Sequence, residues 1–331
     1  MARDLVLVTG ATGLIGNAVA KRLVAKGATV RALVRDMERA KKLLPSEVEL
    51  ARGDITDRGS VDAAMQGVGR VFHTAGMPEQ WQRDDGVFDR VNRGGTVNVL
   101  ESALAAKVDR VAYTSTMDVF AAPPGGTLVE TNLDPDPKPT PYERSKQAAD
   151  REVESIRKKG LDVVHLNPAA VYGPSPVHVA LNDYFLKLLN RKLPLLPPGG
   201  VSVAYVEPVA EAHVAAMERG VSGERYLLAD EHLSMARLAE IILEQSGKDM
   251  RVPARGPLWL LRALAAASAP LARTFAFTPL VAPGQLSFLT WDAHVDATKA
   301  KRELGYTPKP VAEGVRSTIA FLRDEGLVPS A

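Results

Sequence analysis

The sequence predicts a doubly wound α/β fold, in which a parallel β-sheet carries helices on both faces. Short apolar runs alternate with amphipathic helical segments from Leu5 to about Pro174, and this order is typical of a parallel sheet. A glycine-rich turn joins the first strand to the first helix. Further glycine, hydroxyl and acidic residues follow the predicted strand ends, which is where ligands bind in such folds.

Each element of the first half follows from its own local pattern. Residues 5–8 form a continuous apolar run, as expected of a strand that is buried on both faces. The apolar residues of 14–25 recur at helical spacing, Gly27 closes this helix, and residues 28–34 form the next predicted strand. The same alternation predicts strand 48–50, helix 57–66, strand 70–74, helix 87–106, strand 110–114, helix 142–159 and strand 162–167.

The alternation becomes less regular after Pro174, and this change predicts a domain boundary. We expect a dinucleotide-binding domain with the catalytic residues over 1–174, and a smaller, mostly helical α/β substrate domain over 175–331 with some chain crossing back. Residues 121–141 are rich in proline and therefore predict neither a helix nor a central strand. Whether this insert contacts substrate or only crosses the surface is left open by the sequence.

The turn after the first strand reads Gly10-Ala-Thr-Gly13-Leu-Ile-Gly16. In this context the first glycine permits a tight turn, the second lets the backbone approach a pyrophosphate, and the third lets the helix pack on the strand. The free N–H groups of the helix start then face the anion. The turn therefore predicts a Rossmann-type dinucleotide site. Its candidate residues are Gly10, Thr12, Gly13, Leu14, Ile15 and Gly16.

A second group of residues is typical of carbonyl redox chemistry. Thr114-Ser115-Thr116 follows a predicted strand, and Tyr142 and Lys146 are four residues apart, hence on one face of a helix. A free tyrosine has a pKa near ~10, and we expect the Lys146 ammonium to lower the pKa of Tyr142 and suit it to acid-base catalysis. The same lysine can hold ribose hydroxyls. A hydroxyl of the Ser/Thr run would polarise the substrate carbonyl.

Together these motifs resemble the extended short-chain dehydrogenase/reductase superfamily, which contains the NAD-dependent epimerase/dehydratase family. The resemblance spans almost the whole chain, and it is greatest for dihydroflavonol-4-reductase-like and 3β-hydroxysteroid-dehydrogenase-like members. It implies that Thr116, the last residue of the Ser/Thr run, is the catalytic hydroxyl, with Ser115 as the alternative. It also implies cofactor contacts beyond the glycine turn, namely Asp54, Ile55, Thr74, Ala75, Gly76, Lys146, Pro168 and Val171.

The residue after the second strand indicates which dinucleotide is preferred. An NAD site usually has an acidic residue there, whereas this chain has Arg35, with Asp36 one position late. A guanidinium suits a 2′-phosphate by bidentate contact, and Arg39 and Lys42 add positive charge. We therefore predict that NADP(H) is preferred and that NAD(H) is possible. In the other interpretation, Arg35 stacks on the adenine or lies in solvent.

Composition and charge exclude several classes of function. The 331 residues have a net charge of +2, which argues against nucleic acid as a partner. There is no cysteine for a disulfide, a thiolate or a metal site, and the six histidines lack zinc-like spacing, so no metal is predicted. The chain enters a strand within its first residues and shows no signal or membrane-spanning segment. We expect a cytoplasmic monomer or homodimer.

The predicted substrate is a largely apolar carbonyl compound or the corresponding alcohol. Residues 256–291 are apolar and poor in charge, and they predict either helices packed on the core, or a hydrophobic lid or membrane-surface patch that admits an apolar substrate. The patch would make peripheral membrane contact. The candidate substrate residues follow strand ends that should face the cofactor, or lie in the turn that covers it. They are Met77, Trp81, Met117, Phe120 and Tyr172.

Three functions agree with these motifs. The first is an NADP-dependent carbonyl reductase or alcohol dehydrogenase. The second is a nucleotide-sugar epimerase or dehydratase with tightly bound NAD, although Phe120 stands where such enzymes often carry a tyrosine. The third is a non-enzymatic dinucleotide sensor, which would be expected to have lost Tyr142 or Lys146.

Overall fold

The computed structural model describes residues 4–175, 177, 179–275 and 290–328, and for 268–275 it describes the backbone alone. Within this part of the chain the strands, in order, are β1 (Leu5–Thr9), β2 (Thr29–Val34), β3 (Glu49–Arg52), β4 (Val68–His73), β5 (Arg110–Thr114), β6 (Thr127–Leu128), β7 (Val163–Pro168), β8 (Ala170–Tyr172), β9 (Gly200–Tyr205), β10 (Arg225–Leu228), β11 (Glu231–Ser234) and β12 (His294–Val295).

The helices of the same residues alternate with these strands. They are α1 (Leu14–Ala25), α2 (Met37–Leu43), α3 (Arg58–Ala64), α4 (Gly86–Phe88), α5 (Gly95–Ala105), α6 (Pro141–Arg157), α7 (Ala180–Leu189), α8 (Val206–Arg219), α9 (Met235–Ser246), α10 (Leu258–Phe275), α11 (Thr298–Leu304) and α12 (Val311–Asp324). A π-helical turn, Asp89–Gly94, joins α4 to α5, and a short 3₁₀ turn, Met117–Val119, follows β5.

Seven strands form the central sheet in the order β10-β7-β5-β4-β1-β2-β3, and every neighbouring pair is parallel. Residues of α1, α8 and α11 pack with strand residues in one hydrophobic cluster. Residues of α3, α5 and α6 pack with strand residues in another. The predicted doubly wound parallel sheet is therefore confirmed. Its strands are buried because helices cover both faces.

A second, smaller sheet has the order β11-β9-β8. It packs with α7, α9 and α12 in a separate hydrophobic cluster. The chain crosses back between these elements, since β10 returns to the central sheet and pairs with β7. The predicted division into domains at residue 174 stays a prediction.

Two local features position helix α6 and its neighbours. Helix α6 begins at Pro141 with a capping box, in which the Thr140 hydroxyl accepts from the Glu143 N–H and the Glu143 carboxylate accepts from the Thr140 N–H. The predicted continuous helix over 87–106 instead contains the π-helical turn. That turn holds the buried Asn92 amide, which bonds to both main-chain groups of Met77 and to the Ser145 hydroxyl of α6.

Candidate active site

A cavity of about 520 Å³ lies at the carboxyl ends of β1, β4, β5 and β7. One wall is the glycine turn with the residues after β4. The floor is the end of β5 together with the first turn of α6, and the segment after β7 lies opposite. The far wall comes from the second half of the chain. The topology thus brings the two predicted motif groups together, because all these strand ends meet at one edge of the sheet.

The glycine turn has the geometry that a pyrophosphate needs. Gly10 has a φ of +74°, and a Cβ atom there would lie 2.6 Å from the backbone nitrogen of Ala75. A Cβ on Gly16 would collide with the carbonyl oxygen of Gly10. Gly13 precedes α1, and within the described residues no side chain caps that helix end. Its first N–H groups therefore face the cavity and fit an anionic ligand.

The catalytic candidates Thr116, Tyr142 and Lys146 all line the cavity. The Thr116 hydroxyl lies beside the Tyr142 hydroxyl and donates at 2.7 Å to Oδ2 of Asp118. The Lys146 ammonium donates at 3.0 Å to the carbonyl oxygen of Thr114. A substrate oxygen beside Tyr142 could therefore meet two hydroxyl groups next to the glycine turn.

The electrostatic environment of Tyr142 differs from the sequence expectation. Burial is the main cause that raises the pKa of Tyr142 well above its ordinary value, and the carboxylates of Asp118, Glu79 and Glu143 raise it further. Burial also lowers the pKa of Lys146 to about 8. The expected lowering of the Tyr142 pKa by Lys146 is not found in this structure, because desolvation and three acidic neighbours outweigh one ammonium. At neutral pH the tyrosine is a phenol and can act as a proton donor.

Ser115 also lines the cavity, but its hydroxyl is used in another interaction. It donates at 2.6 Å to Oδ1 of Asp150, a buried carboxylate that also pairs with Arg225. Burial on its own would raise the pKa of Asp150, but the neighbouring His165 imidazole and the charge of Arg225 lower it overall. The structure thus favours Thr116 over Ser115 as the hydroxyl that meets substrate.

Four acidic residues line the described cavity, namely Glu79, Asp118, Glu143 and Asp183, and sequence reasoning proposed none of them as site residues. Asp118 and Glu79 both line it. Burial raises the pKa of Asp118 to about 6 and that of Glu79 to about 7, with the Glu143 carboxylate as the next cause in each case. Asp118 lies two residues after Thr116, so the Ser/Thr run could have pointed to it. The position of Glu79, in a loop after β4, depends on tertiary packing.

Most of the predicted cofactor residues contribute to the cavity wall. The described lining includes Gly10, Gly13, Leu14, Ile15, Gly16, Thr74, Ala75, Gly76, Lys146, Pro168 and Val171. Thr12, Arg35, Asp54 and Ile55 do not belong to that lining. Ile55 is buried against Gly95 in the core. The Asp54 carboxylate accepts from Thr56 and lies 3.8 Å from the Arg35 guanidinium, so it stays at the sheet edge where β2 ends.

The acidic residue next to Arg35 already has a structural role. The Asp36 side chain accepts a 2.9 Å hydrogen bond from the Arg39 N–H and caps α2. The Arg35 side chain is 77% exposed, with a long contact to Asp54. The guanidinium is therefore available to a ligand, whereas Oδ1 of Asp36 is engaged in the cap of α2.

Only some of the predicted substrate residues line the cavity. Met77 and Met117 line the cavity. Trp81 is half-buried and lies outside the described lining. The predicted positions of Phe120 and Tyr172 at the substrate are corrected, because both side chains are fully buried in core clusters and neither lines the cavity. The predictions followed sequence distance from a strand end, which does not determine which way a side chain packs.

The far wall of the cavity is apolar and comes from α7, β9, α9, α10 and the segment between α7 and β9. Its described apolar residues include Val179, Leu181, Tyr184, Leu193, Leu195, Pro197, Val201, Met235 and Leu261. Of these residues, sequence reasoning covered only Leu261, as part of the apolar segment 256–291, because their meeting depends on contacts between distant parts of the chain. Together with Met77, Met117 and Val171, they make most of the cavity hydrophobic.

Part of the apolar segment 256–291 contributes to this wall. Leu261 of α10 is buried and lines the cavity, while Trp259 and Leu264 on the same helix are 71% and 45% exposed. The segment thus combines packing on the core with an exposed apolar face. Residues 276–289, which belong to the same prediction, lie outside the described residues. Among the helices that the structure describes, none is long and apolar enough to span a membrane.

The proline-rich insert, residues 121–141, contains β6, which pairs with β12 in a separate two-stranded sheet. None of its residues is part of the described cavity lining. Lys138 is buried and donates to the Phe120 carbonyl, and Trp291 donates to the Ala122 carbonyl. The insert is therefore a packed surface crossing.

The described residues also contain no group of three or more metal-ligating side chains.

The sequence matches the model of one protein family. The model is described as the NAD dependent epimerase/dehydratase family, and the match covers residues 6–229. This range contains the glycine turn, the Ser/Thr run and the Tyr142–Lys146 pair.

Relatives of known name cover nearly the whole chain. "Sterol demethylase protein B" of Methylococcus capsulatus is 30% identical over 97% of this chain and 99% of its own length. A "putative dihydroflavonol 4-reductase" of Synechocystis is 27% identical over 98% of this chain and 96% of its own. A "4-hydroxy-2-methyl-3-oxo-4-farnesyl-3,4-dihydroquinoline-1-oxide ketoreductase" of Stigmatella aurantiaca is 30% identical over 90% of each chain.

Solved structures agree with the fold. The crystal structure of gox2253 has a TM-score of 0.81 at 30% identity and covers 98% of this chain and 100% of that chain. UDP-glucose 4-epimerase of Thermus thermophilus, solved in complex with NAD, has a TM-score of 0.76 at 25% identity and covers 96% and 99%.

Proposed function

The chain belongs to the NAD dependent epimerase/dehydratase family, within the extended short-chain dehydrogenase/reductase superfamily, and on this premise we propose that it is an NADP(H)-dependent carbonyl reductase. Its substrate would be a ketone or aldehyde of a largely apolar small molecule, or the corresponding alcohol in the reverse direction. The observation that carries the proposal is the shared cavity in which Thr116 and Tyr142 lie between the glycine turn and an apolar far wall.

The residues of the cavity have separate tasks in this reaction. The glycine turn and the start of α1 would hold the pyrophosphate, and Lys146 would hold the ribose. A bound nicotinamide supplies or accepts the hydride. Thr116 and Tyr142 would orient the carbonyl oxygen, and the proton that this oxygen gains would come from the Tyr142 hydroxyl. The raised pKa of Tyr142 keeps that proton on the phenol until the oxygen becomes basic.

A nucleotide cofactor is supported by the family and by the NAD in a structural relative. The finer proposal of NADP(H) rests on Arg35, which is exposed beside the expected adenosine site, and on Asp36, which caps α2. A guanidinium can donate to a 2′-phosphate in a bidentate contact, whereas Asp36 stands one position late and one of its carboxylate oxygens already caps α2.

The proposed substrate class rests on the far wall and on relatives. Leu181, Leu193, Leu195 and Leu261 offer no hydrogen bond to a sugar, and burial of apolar substrate surface would supply most of the binding free energy. Two of the relatives carry names that refer to a sterol and to a farnesyl-substituted quinoline, both of them apolar compounds.

The exposed face of α10 supports a related proposal. Residues 250–291 contain four arginines and no acidic residue. Trp259 and Leu264 are exposed on the helix whose Leu261 closes the cavity. We propose that this face meets an anionic membrane surface, from which an apolar substrate would reach the cavity.

A nucleotide-sugar epimerase is the second candidate, because polar residues such as Glu79, Asp183 and Lys187 also line the cavity. This alternative predicts retained NAD after purification and turnover of a nucleotide sugar. A non-enzymatic sensor is disfavoured by the presence of both Tyr142 and Lys146 in the cavity.

The decisive experiment is a panel of carbonyl compounds and alcohols, followed by nicotinamide absorbance with NADPH and NADH. We expect kcat/KM to rise with the length of the apolar chain in a homologous ketone or aldehyde series. Tyr142→Phe should lower kcat by about 10²–10⁴-fold and leave cofactor affinity nearly unchanged. Tyr184→Phe is the matched control, because Tyr184 lines the far wall and its hydroxyl bonds to the Met235 carbonyl. Retained NAD with no reduction of any apolar carbonyl would favour the epimerase.

A further inference from the structure

Glu79 brings a carboxylate to the cavity from the loop that follows β4. Its Oε2 accepts a 3.3 Å hydrogen bond from the hydroxyl of Thr140, which caps α6 two positions before Tyr142. Its other oxygen, Oε1, has no hydrogen-bond partner among the described residues. The side chain is half-buried and lines the cavity, and Oε1 is not sealed in the core. This oxygen is therefore open to a donor group of a ligand.

The loop that carries Glu79 is fixed by hydrogen bonds to neighbouring helices. Two residues earlier, the Met77 N–H donates at 2.7 Å to Oδ1 of Asn92, and the Asn92 amide donates back to the Met77 carbonyl at 3.1 Å. The same amide donates at 2.9 Å to the Ser145 hydroxyl of α6. The bond from Thr140 then holds the end of the Glu79 side chain. The carboxylate is thus preorganised beside the start of α6.

Asp118 brings a second carboxylate to the cavity, from the 3₁₀ turn after β5. Its Oδ2 accepts from the Thr116 hydroxyl at 2.7 Å, but its Oδ1 has no hydrogen-bond partner among the described residues. Asp118 is only 6% exposed and lines the cavity. A buried carboxylate oxygen without a donor is costly, and a donor group on a ligand would remove that cost.

The other charged groups at this end of the cavity are engaged elsewhere. The Glu143 carboxylate accepts from the main chain in the capping box of α6. The Lys146 ammonium donates to the last carbonyl of β5. In the hydrogen bonds of the described residues, neither lysine nor arginine donates to Glu79 or Asp118. We call Glu79 and Asp118, each with one acceptor oxygen left over, the acidic pole of the cavity.

We propose that Glu79, assisted by Asp118, selects a substrate that carries a hydrogen-bond donor, a hydroxyl or an ammonium group, close to its carbonyl carbon. The inference rests on the proposed function, in which the carbonyl oxygen lies at Thr116 and Tyr142. Glu79 is fixed through the cap of the helix that begins at Tyr142, and Asp118 is bonded to Thr116, so the acidic pole adjoins that oxygen. The substrate is then an apolar chain or ring system with a polar hydroxy- or amino-carbonyl end.

An unpaired carboxylate also rejects the wrong substrate. A ketone without a donor would cover the acidic pole and leave its oxygens without water and without a partner. A ketone with a donor would form a charge-assisted hydrogen bond instead. We expect the second kind to be favoured by about tenfold to a hundredfold.

The test uses ketones with the same long alkyl chain that differ only in the group on the carbon next to the carbonyl. This group is a hydroxyl, an ammonium, a methoxy or a methyl group. Isothermal titration gives Kd for the enzyme loaded with NADP⁺, in which the ketone does not react because the oxidised nicotinamide has no hydride to give. Kinetics with NADPH give kcat/KM. The parent should favour the hydroxyl or the ammonium compound over the methoxy and methyl compounds by about tenfold to a hundredfold in both quantities.

Two variants of Glu79 identify the donor. Glu79→Leu removes both oxygens and should reduce either preference to within about threefold. Glu79→Gln keeps one carbonyl oxygen, so it should keep most of a preference for the hydroxyl and lose a preference for the ammonium. Asp183→Asn is the matched control, because it changes a carboxylate that lines the same cavity from α7, and it should keep the parental preference.

A merely structural role of Glu79 would weaken the binding of every ketone alike, so an equal loss for all of them in Glu79→Leu would overturn the inference. It is also overturned if Asp183→Asn loses the preference and Glu79→Leu keeps it. If Glu79→Leu fails to fold, the parent and Glu79→Gln still decide through their Kd values. Turnover without any preference for a donor would overturn the inference alone, whereas a preference in Kd without turnover of any ketone would count against the proposed function alone.

Discussion

The ammonium of Lys146 donates a 3.0 Å hydrogen bond to the carbonyl oxygen of Thr114. This bond joins helix α6, which carries Tyr142, to the end of β5, which leads to Thr116. The ammonium also lies 5.1 Å from the centre of the Tyr113 ring, within the range of a cation–π contact. One side chain therefore links the helix of Tyr142 to the strand end that leads to Thr116.

Replacement of Lys146 by alanine should weaken both catalysis and cofactor binding, because the same ammonium ties α6 to β5 and faces the expected ribose site. We expect a loss of at least about tenfold in kcat and a weaker Kd for NADPH, as for a lost charge-assisted contact. Steady-state kinetics and fluorescence titration measure the two effects. Lys158→Ala is the control, since Lys158 is exposed at the other end of α6. A Lys146→Ala enzyme with parental affinity and rate would remove this residue from the site.

Thr116→Ala and Ser115→Ala should have different effects. Thr116→Ala should lower turnover strongly, because the Thr116 hydroxyl lies beside Tyr142 in the cavity. It should also lower the free energy of unfolding by about 1–3 kcal/mol, because that hydroxyl bonds to the buried Asp118 carboxylate. Ser115→Ala removes a bond to the buried Asp150 carboxylate and should lower the free energy of unfolding by about 1–3 kcal/mol, with a smaller effect on turnover. Kinetics and urea denaturation measure both quantities. If turnover fell more in Ser115→Ala, the catalytic role would belong to Ser115.

Arg35→Ala should reduce affinity for NADPH and leave NADH almost unchanged. A charge-assisted contact with the 2′-phosphate is worth roughly 1.5–3 kcal/mol, which is about one to two decades in Kd. Isothermal titration with both dinucleotides measures the change, and Arg39→Ala, one helical turn further on, should have a smaller effect. Equal affinity of the parent for NADPH and NADH would contradict the assignment.

The stability of the fold should depend on pH through Asp118. Its pKa is raised from 3.8 to about 6, so in this window the native state keeps a proton that the unfolded chain loses. Stability therefore falls as the pH rises from about 4 to about 6 and changes no further through this group at higher pH. Asp118→Asn lacks this loss. The free energy of unfolding of Asp118→Asn should therefore rise relative to that of the parent by about 2–3 kcal/mol across the window. Urea denaturation at several pH values tests this, and a pH-independent difference would contradict it.

The exposed face of α10 should bind anionic vesicles. We expect the parent to sediment with vesicles of acidic phospholipid and not with neutral ones, because residues 250–291 combine four arginines with exposed apolar side chains. Trp259→Ser should reduce binding severalfold by removing the largest exposed ring. Val221→Ser is the control, since Val221 is 56% exposed outside this helix. Binding that is equal for both vesicle types, or unaffected by Trp259→Ser, would rule out this surface.

Local patterns were sufficient for much of the fold and of the polar half of the site. The alternation of apolar runs predicted the central sheet because strands buried on both faces need uninterrupted apolar side chains. The glycine turn and the four-residue spacing of Tyr142 and Lys146 predicted one cavity wall and its floor, because parallel strands bring their ends to one edge. The family was predicted correctly from the same residues. The roles assigned to individual residues stay predictions.

The sequence by itself thus determined the sheet, the glycine turn and the residues that meet beside it, since these depend on spacing within one or two elements. Only the tertiary structure decided that Phe120 and Tyr172 pack into the core, that the apolar far wall is built from helices far along the chain, and that Glu79 and Asp118 surround Tyr142. The physical reason is that side-chain direction, burial and the electrostatic field at Tyr142 arise from contacts between segments far apart in sequence. Composition and periodicity carry no information about those contacts.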